Sequence, residues 1–409
     1  MRAMPVPHRP RPRRALPVAL ALLLPTAGAL VAPAVAYADD GPTVRLPVMR
    51  SQLTDEANCV DKAGPVATTL PWEQQSLDLA RTWQFADGAG VTVAVVDTGV
   101  STAAPALSGR VTAVGLAGTD CVGHGSFVAT LVAAAPRKGI GFQGVAPRAR
   151  VVGVRGTDKR GKATPESVAE GIRSAVDAHA GVIEVSPALS ATSKTLDDAV
   201  AYAARHDALI VAAAVPDSSP TGSALHAGDE PPPPRDYWPA ASPGVLSVLD
   251  LDVKGERAKD AYLPLRADLA APGEGVIGNG PTGKGHFIGS GASLAAAYTA
   301  GAAALLRSAS PDLDAEDVAR RLMSTAYPAD VPRLDPYAAV TTIGDTAAHP
   351  AAAADHQAPV SLPKDIQGAK ATHRALIAAA AGFGLVIAVA WAAAILPRGR
   401  ARHWRPARR

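Results

Sequence analysis

Three side chains in this sequence can together do acyl-transfer chemistry: Asp97, His124 and Ser293. A serine hydroxyl is a poor nucleophile until a neutral imidazole accepts its proton, and the imidazole needs a carboxylate to fix its tautomer and stabilise the imidazolium. Asp97 ends the apolar run Val91-Thr92-Val93-Ala94-Val95-Val96. His124 opens an apolar helical run in Gly123-His124-Gly125-Ser126-Phe127-Val128-Ala129, and Ser293 opens another in Gly291-Ala292-Ser293-Leu294-Ala295. A helix start among small residues offers backbone amides and the positive dipole end to a developing negative charge. Taken alone, Ser293 also reads as an N-cap or a close-packing residue. Ser290 is the rival nucleophile nearby.

The elements that must carry these residues follow from hydrophobic patterning. The β-branched run before Asp97 has the character of a strand buried on both faces of a parallel sheet. Strand-like segments at 150–154, 182–186 and 208–214 alternate with helix-like segments at 165–179 and 196–206. This alternation predicts an α/β fold, a parallel sheet with helices on both faces and active groups at the carboxyl ends of strands. Further helices are expected over 71–83, 293–308 and 311–323. Residues 216–243 have loop composition, including the proline run 231–234.

The formal net charge is +3, but Arg2, Arg9, Arg11, Arg13 and Arg14 crowd one end and Arg398, Arg400, Arg402, Arg405, Arg408 and Arg409 the other. Setting these eleven aside leaves the middle at −8, which argues against a nucleic-acid-binding domain. The first arginines, an apolar run to about residue 35 and Ala36-Tyr37-Ala38 make up a secretory signal over residues 1–38. Residues 375–396 are an uncharged stretch of 22, against about 20 needed to span a bilayer core. The arginines after it place the tail 397–409 in the cytoplasm and the bulk of the chain outside. Between these lie an extended arm (39–70), a main domain (71–343) and a flexible linker (344–374). In an exported chain Cys59 and Cys121 are expected to pair, tying the arm to the loop before His124; two free buried thiols are the alternative.

With Ala146-Pro147 and Ala271-Pro272-Gly273, the three stretches resemble the subtilisin-like serine proteases across about residues 72–340. The likeness is closer to the mycosins, membrane-anchored subtilisin-like proteases that accompany type VII secretion systems in actinobacteria. It is carried by Pro71-Trp72-Glu73-Gln74-Gln75 leading to Gly88-Ala89-Gly90-Val91, a cysteine three residues before His124, Asp335-Pro336 and the C-terminal span. The resemblance implies that Asp97 orients, His124 is general base and then acid, and Ser293 is the nucleophile. It implies a protein or peptide substrate, a type VII secretion membrane complex as partner, and a peptidase domain outside the cell membrane on a single span. No cofactor is implied. No compact acidic cluster suggests a metal site, and Asp229 and Glu230 read as solvated loop residues.

Several positions depart from the family pattern. Where the family carries an oxyanion-donating asparagine after Ala-Ala-Ala-Gly, this chain reads Ala212-Ala213-Ala214-Val215-Pro216-Asp217, which puts Pro216 at the oxyanion position. Neither Pro216 nor an ionised Asp217 can donate there, and the amide of Asn279 is a candidate replacement. Ala292 stands for threonine before the nucleophile, Ala297 for proline after it and Ser126 for threonine after His124-Gly125. Glu184 stands for asparagine, and the substrate-lining segment reads Ser186-Pro187-Ala188. These departures support a protease of reduced activity or, alternatively, a pseudoprotease serving as a structural component of the secretion complex.

Overall fold

The computed structural model describes residues 44–60, 63–107, 109–217, 233–257, 261–343 and 366–401, with side chains of the last segment from 376 to 399. The signal-peptide reading of 1–38, Asp229 and Glu230, most of the 344–374 linker and the end of the basic tail lie outside these residues. Two units divide between Val340 and Thr341.

The first unit opens with the short helices α1 (Trp72–Ser76) and α2 (Leu79–Thr82), followed by strand β1 (Thr92–Asp97) and β2 (Val111–Ala113). Helix α3 (His124–Ala133), β3 (Arg150–Arg155), α4 (Pro165–Asp177), β4 (Val182–Val185), α5 (Lys194–Arg205) and β5 (Leu209–Ala213) come next. After β6 (Leu246–Leu251) and β7 (Leu269–Pro272), a hairpin of β8 (Val276–Asn279) and β9 (His286–Gly289) leads into α6 (Ala292–Ala309), α7 (Ala315–Ser324) and α8 (Pro336–Thr341). Seven strands form one sheet in the order β2-β3-β1-β4-β5-β6-β7, every pair parallel.

The period-2 alternation of a strand divides β1 between two cores. Val93 and Val95 face one with α3 and α6, while Ala94 and Val96 face the other with Val168 and Ile172 of α4 and Leu196 of α5. Helix α6 is buried at fifteen of its eighteen residues, which explains its alanine-rich composition. At Gly301 an added Cβ would lie 2.5 Å from the Val145 side chain. On the other face α4 is held at its start by a reciprocal capping box between Thr164 and Ser167, and α5 by Ser193.

Two expected helices differ in form. The segment 71–83 is not continuous: Asp78 at φ 47° is left-handed and splits it into α1 and α2, a conformation a short polar side chain tolerates. Residues 311–314 precede α7 instead of joining it, because Asp314 accepts from the Asp317 N–H and so caps the helix from outside.

The Cys59–Cys121 disulfide is present, joining cysteines at a sequence separation of 62. Closing a loop of that length contributes about 4 kcal/mol by chain entropy. It pins the arm to the turn before α3, where the Val60 N–H donates to the Cys121 carbonyl. Further back the Met49 N–H donates to Ile288 of β9, and the Leu53 N–H to Arg160. The described part of the arm is thus held to the main domain at several points.

Glu73 is fully buried, its Oε1 accepting from the Ile277 N–H at 3.0 Å, with Tyr298 of α6 beside it. Burial pushes its carboxyl from 4.5 up to about 7 against the opposing hydrogen bonds. As pH rises between these values, the unfolded chain releases a proton that the folded chain keeps, so stability falls, by about 3 kcal/mol in all. Glu73→Gln removes this dependence. Denaturant titrations of the two proteins at acid and alkaline pH are expected to diverge by that amount in the variant's favour; parallel curves would contradict it.

The second unit contains α9 (Ile366–Ala401), a helix of 36 residues. Its Leu376–Gly399 segment, 24 residues, is long and apolar enough to cross a bilayer. At 1.5 Å per residue it measures about 36 Å, against about 30 Å of hydrocarbon.

Candidate active site

Asp97, His124 and Ser293 are brought together from three elements. Asp97 is the last residue of β1, in the interior of the sheet, and Gly99 at φ 110° turns the chain away immediately after it. His124 is the first residue of α3, and Ser293 the second of α6. Asp97 Oδ2 lies 2.7 Å from His124 Nδ1, and His124 Nε2 lies 3.3 Å from Ser293 Oγ. All three side chains are buried. The approach of α3 to β1 depends on Gly125, where a Cβ would stand 2.1 Å from the Gly99 carbonyl oxygen.

Burial works against charge on Asp97, but the charge and hydrogen bond of His124, with Ser186 and the Thr98 amide, hold it below the usual carboxylate range. Burial likewise disfavours the imidazolium of His124. The charge of Asp97 and a hydrogen bond donated to Asp217 outweigh this and push the imidazole well above its ordinary value. Ser290 takes a different part: it is exposed and its Oγ accepts from the Gly275 N–H at 3.0 Å.

A family model described as the subtilase family, Peptidase_S8, matches residues 88–382. The chain belongs to the subtilase family. Thermitase of Thermoactinomyces vulgaris is 31% identical to this subtilase over 254 residues, covering 60% of this chain and 84% of thermitase. Mycosin-3 of Mycobacterium tuberculosis is 32% identical over 311 residues, covering 62% of this chain and 66% of mycosin-3. A solved structure of MycP1, described as a serine protease and an essential component of the type VII (ESX-1) secretion system, matches with a TM-score of 0.59. It is 27% identical, with 74% of this chain and 97% of that one covered.

In this subtilase the residue facing Ser293 from the β5 side is Asp217, not Pro216. Pro216 lines the neighbouring cleft, and the following carboxylate turns into the site. Asp217 Oδ1 accepts from the Ser293 N–H at 3.0 Å, and Oδ2 accepts from the Ser293 hydroxyl at 2.7 Å while standing 3.4 Å from His124 Nε2. Asn279 does not take the missing donor's place. Its carboxamide donates to Gly285 and its N–H to Thr130, both within or behind the β8–β9 hairpin.

Ser186, Pro187 and Ala188 line a cleft of about 340 Å³ beside Asp97 and His124. Glu184 is fully buried in β4, where it accepts from the Ser186 hydroxyl at 2.9 Å. Burial, reinforced by the charge of Asp97, pushes its carboxyl well above the usual range.

Two contributors to the site escape a reading of the sequence. Asp120 accepts from the Gly123 N–H, the Ser126 N–H, the Ser126 hydroxyl and the Thr98 hydroxyl, all at 2.7–2.8 Å. Thr98 in turn accepts from the Gly125 N–H, so one buried acid clamps the start of α3 to the end of β1. Its place just before a Gly-His helix start was the available signal, as an acid able to cap free amides. The second contributor is the arm, whose Ser51 and Gln52 border the cleft. No periodicity in residues 39–70 points there.

Proposed function

We propose that this chain is a membrane-tethered serine endopeptidase of the mycosin type, acting outside the cytoplasm on protein or peptide substrates as part of a type VII secretion membrane complex. The observation that carries the reading is the buried line from Asp97 through His124 to Ser293. Ser293 Oγ attacks the scissile carbonyl as His124 Nε2 takes its proton; the C–N bond then breaks and the leaving amine receives that proton. Water repeats the sequence on the acyl-enzyme. Asp97 keeps Nδ1 protonated and offsets the charge that forms on the ring. The secretion role rests on the likeness to mycosin-3 and MycP1, and the tether on the apolar length of α9 with arginines after it.

A second reading, a structural component without turnover, is favoured by the Asp217 carboxylate at the Ser293 amide. Fluorophosphonate labelling of the full-length chain separates the two. The protease reading expects covalent labelling that Ser293→Ala removes, and secretion that fails in the same variant. Absence of labelling between pH 5 and 9, with secretion intact in Ser293→Ala but lost on deletion of residues 375–409, would establish the structural role instead.

A further inference from the structure

We propose that Asp217 is the resting occupant of the oxyanion position, restraining Ser293 until a substrate carbonyl displaces it; this rests on the reading of Ser293 as the nucleophile. Three contacts carry the proposal. The Ser293 N–H is the backbone donor at the start of α6 that a tetrahedral intermediate would need, and Asp217 Oδ1 already holds it. The Ser293 hydroxyl has one proton to give, and the oxygen of Asp217 at 2.7 Å is closer than the imidazole nitrogen at 3.3 Å. The same oxygen stands 3.4 Å from His124 Nε2, so the ring is flanked by carboxylates at both nitrogens.

Each contact opposes one requirement of acyl transfer. A carboxylate at the oxyanion position repels the charge that develops there. A serine proton directed to Asp217 is not in line for the base. An imidazole between two carboxylates is held as imidazolium, and an imidazolium cannot accept a proton.

The fit is close. Gly291, the residue before α6, lies at φ 150°, and an added Cβ there would be 2.1 Å from Asp217 Oδ1. The carboxylate therefore fills space that only a glycine leaves open. Among the described residues, the titratable groups that feel its charge are His124 on α3, Glu184 on β4 and Glu274 after β7, with Asp97 on the far side of the His124 ring. Burial raises both glutamates, Glu274 to about 8. His124 is therefore the cationic partner among these groups. Displacement of Asp217 by an incoming carbonyl frees the amide and the hydroxyl and removes the second carboxylate, so that the ring gives its Nε2 proton to water and becomes the base.

The test compares the full-length chain with Asp217→Asn and Asp217→Ala, following the rate of fluorophosphonate labelling against pH and the titration of His124 by ¹⁵N-histidine NMR. Removing an opposite charge at this range lowers a histidine pKa by roughly one unit or more. Both variants are expected to label about tenfold or more faster near neutral pH, with the midpoints of the rate profile and of the His124 titration moved down by about a unit. A carboxylate that merely caps α6 would leave the His124 midpoint in place and slow labelling as the helix start loosens; that result overturns the proposal. If neither wild type nor variants label, the protease reading falls, and the His124 titration still decides: an unmoved midpoint removes the role given to Asp217.

Discussion

Ser293→Ala in the full-length chain is expected to abolish covalent capture by a fluorophosphonate and to lower peptide turnover by roughly 10⁶, the cost known for the corresponding change in subtilisin. His124→Ala should cost about as much, because the two residues act as a unit and removing either ends proton transfer. Asp97→Asn should cost less, about 10⁴, since the imidazole stays in place with the wrong tautomer favoured. The ordering discriminates more sharply than any single loss. If Ser290 were the nucleophile, Ser293→Ala would keep most of the labelling, yet Ser290 Oγ is engaged with the Gly275 N–H while Ser293 Oγ meets His124. Mass spectrometry of the labelled peptide decides between the two serines.

Asp120→Ala is expected to cost about 4 kcal/mol or more, because two backbone amides and two hydroxyls lose a buried acceptor together and each such loss costs about 1–3 kcal/mol. Burial raises the Asp120 carboxyl, against the hydrogen bonds from Ser126 and Gly123. Asp120→Asn keeps one acceptor oxygen and should lose roughly half as much. Urea titration of each variant reads these differences directly. Labelling of Ser293 under conditions where the variant is folded should also fall, since His124 is the first residue of the helix that Asp120 anchors. A variant with unchanged stability and unchanged labelling would remove Asp120 from any positioning role.

Much of the framework was legible in the sequence because strand burial and helix amphipathicity are local properties. The run before Asp97 reads as a strand from its β-branched content, and α4 reads as a helix from its spacing of Val168, Ile172 and Val176. Sheet order is not local: β1 lies between β3 and β4, which no periodicity discloses. The subtilase likeness rested on motifs around Asp97, His124 and Ser293, and the structure adds the distances. At the oxyanion position the reading by register failed. Counting from Ala212 selects Pro216, but which side chain enters the pocket depends on how the backbone turns after β5, and here it is the next residue. Glu184 shows the same limit. Its substitution for asparagine was visible, whereas its acceptance from Ser186 and its raised carboxyl need the packed environment.

The burial of α6 bears on the chain's history as well as its chemistry. Ser293 lies 169 residues after His124, on the helix that covers one face of the parallel sheet. At ordinary rates of translation that distance takes roughly 10–30 s to synthesise. Through that interval a nascent chain already contains Asp97 and His124 but lacks Ser293, and the sheet lacks the helix that packs on that face. On the reading of Ser293 as the nucleophile, competence to cut arrives only with the helix that fills this core, so a copy cut short before α6 has no means of degrading its neighbours.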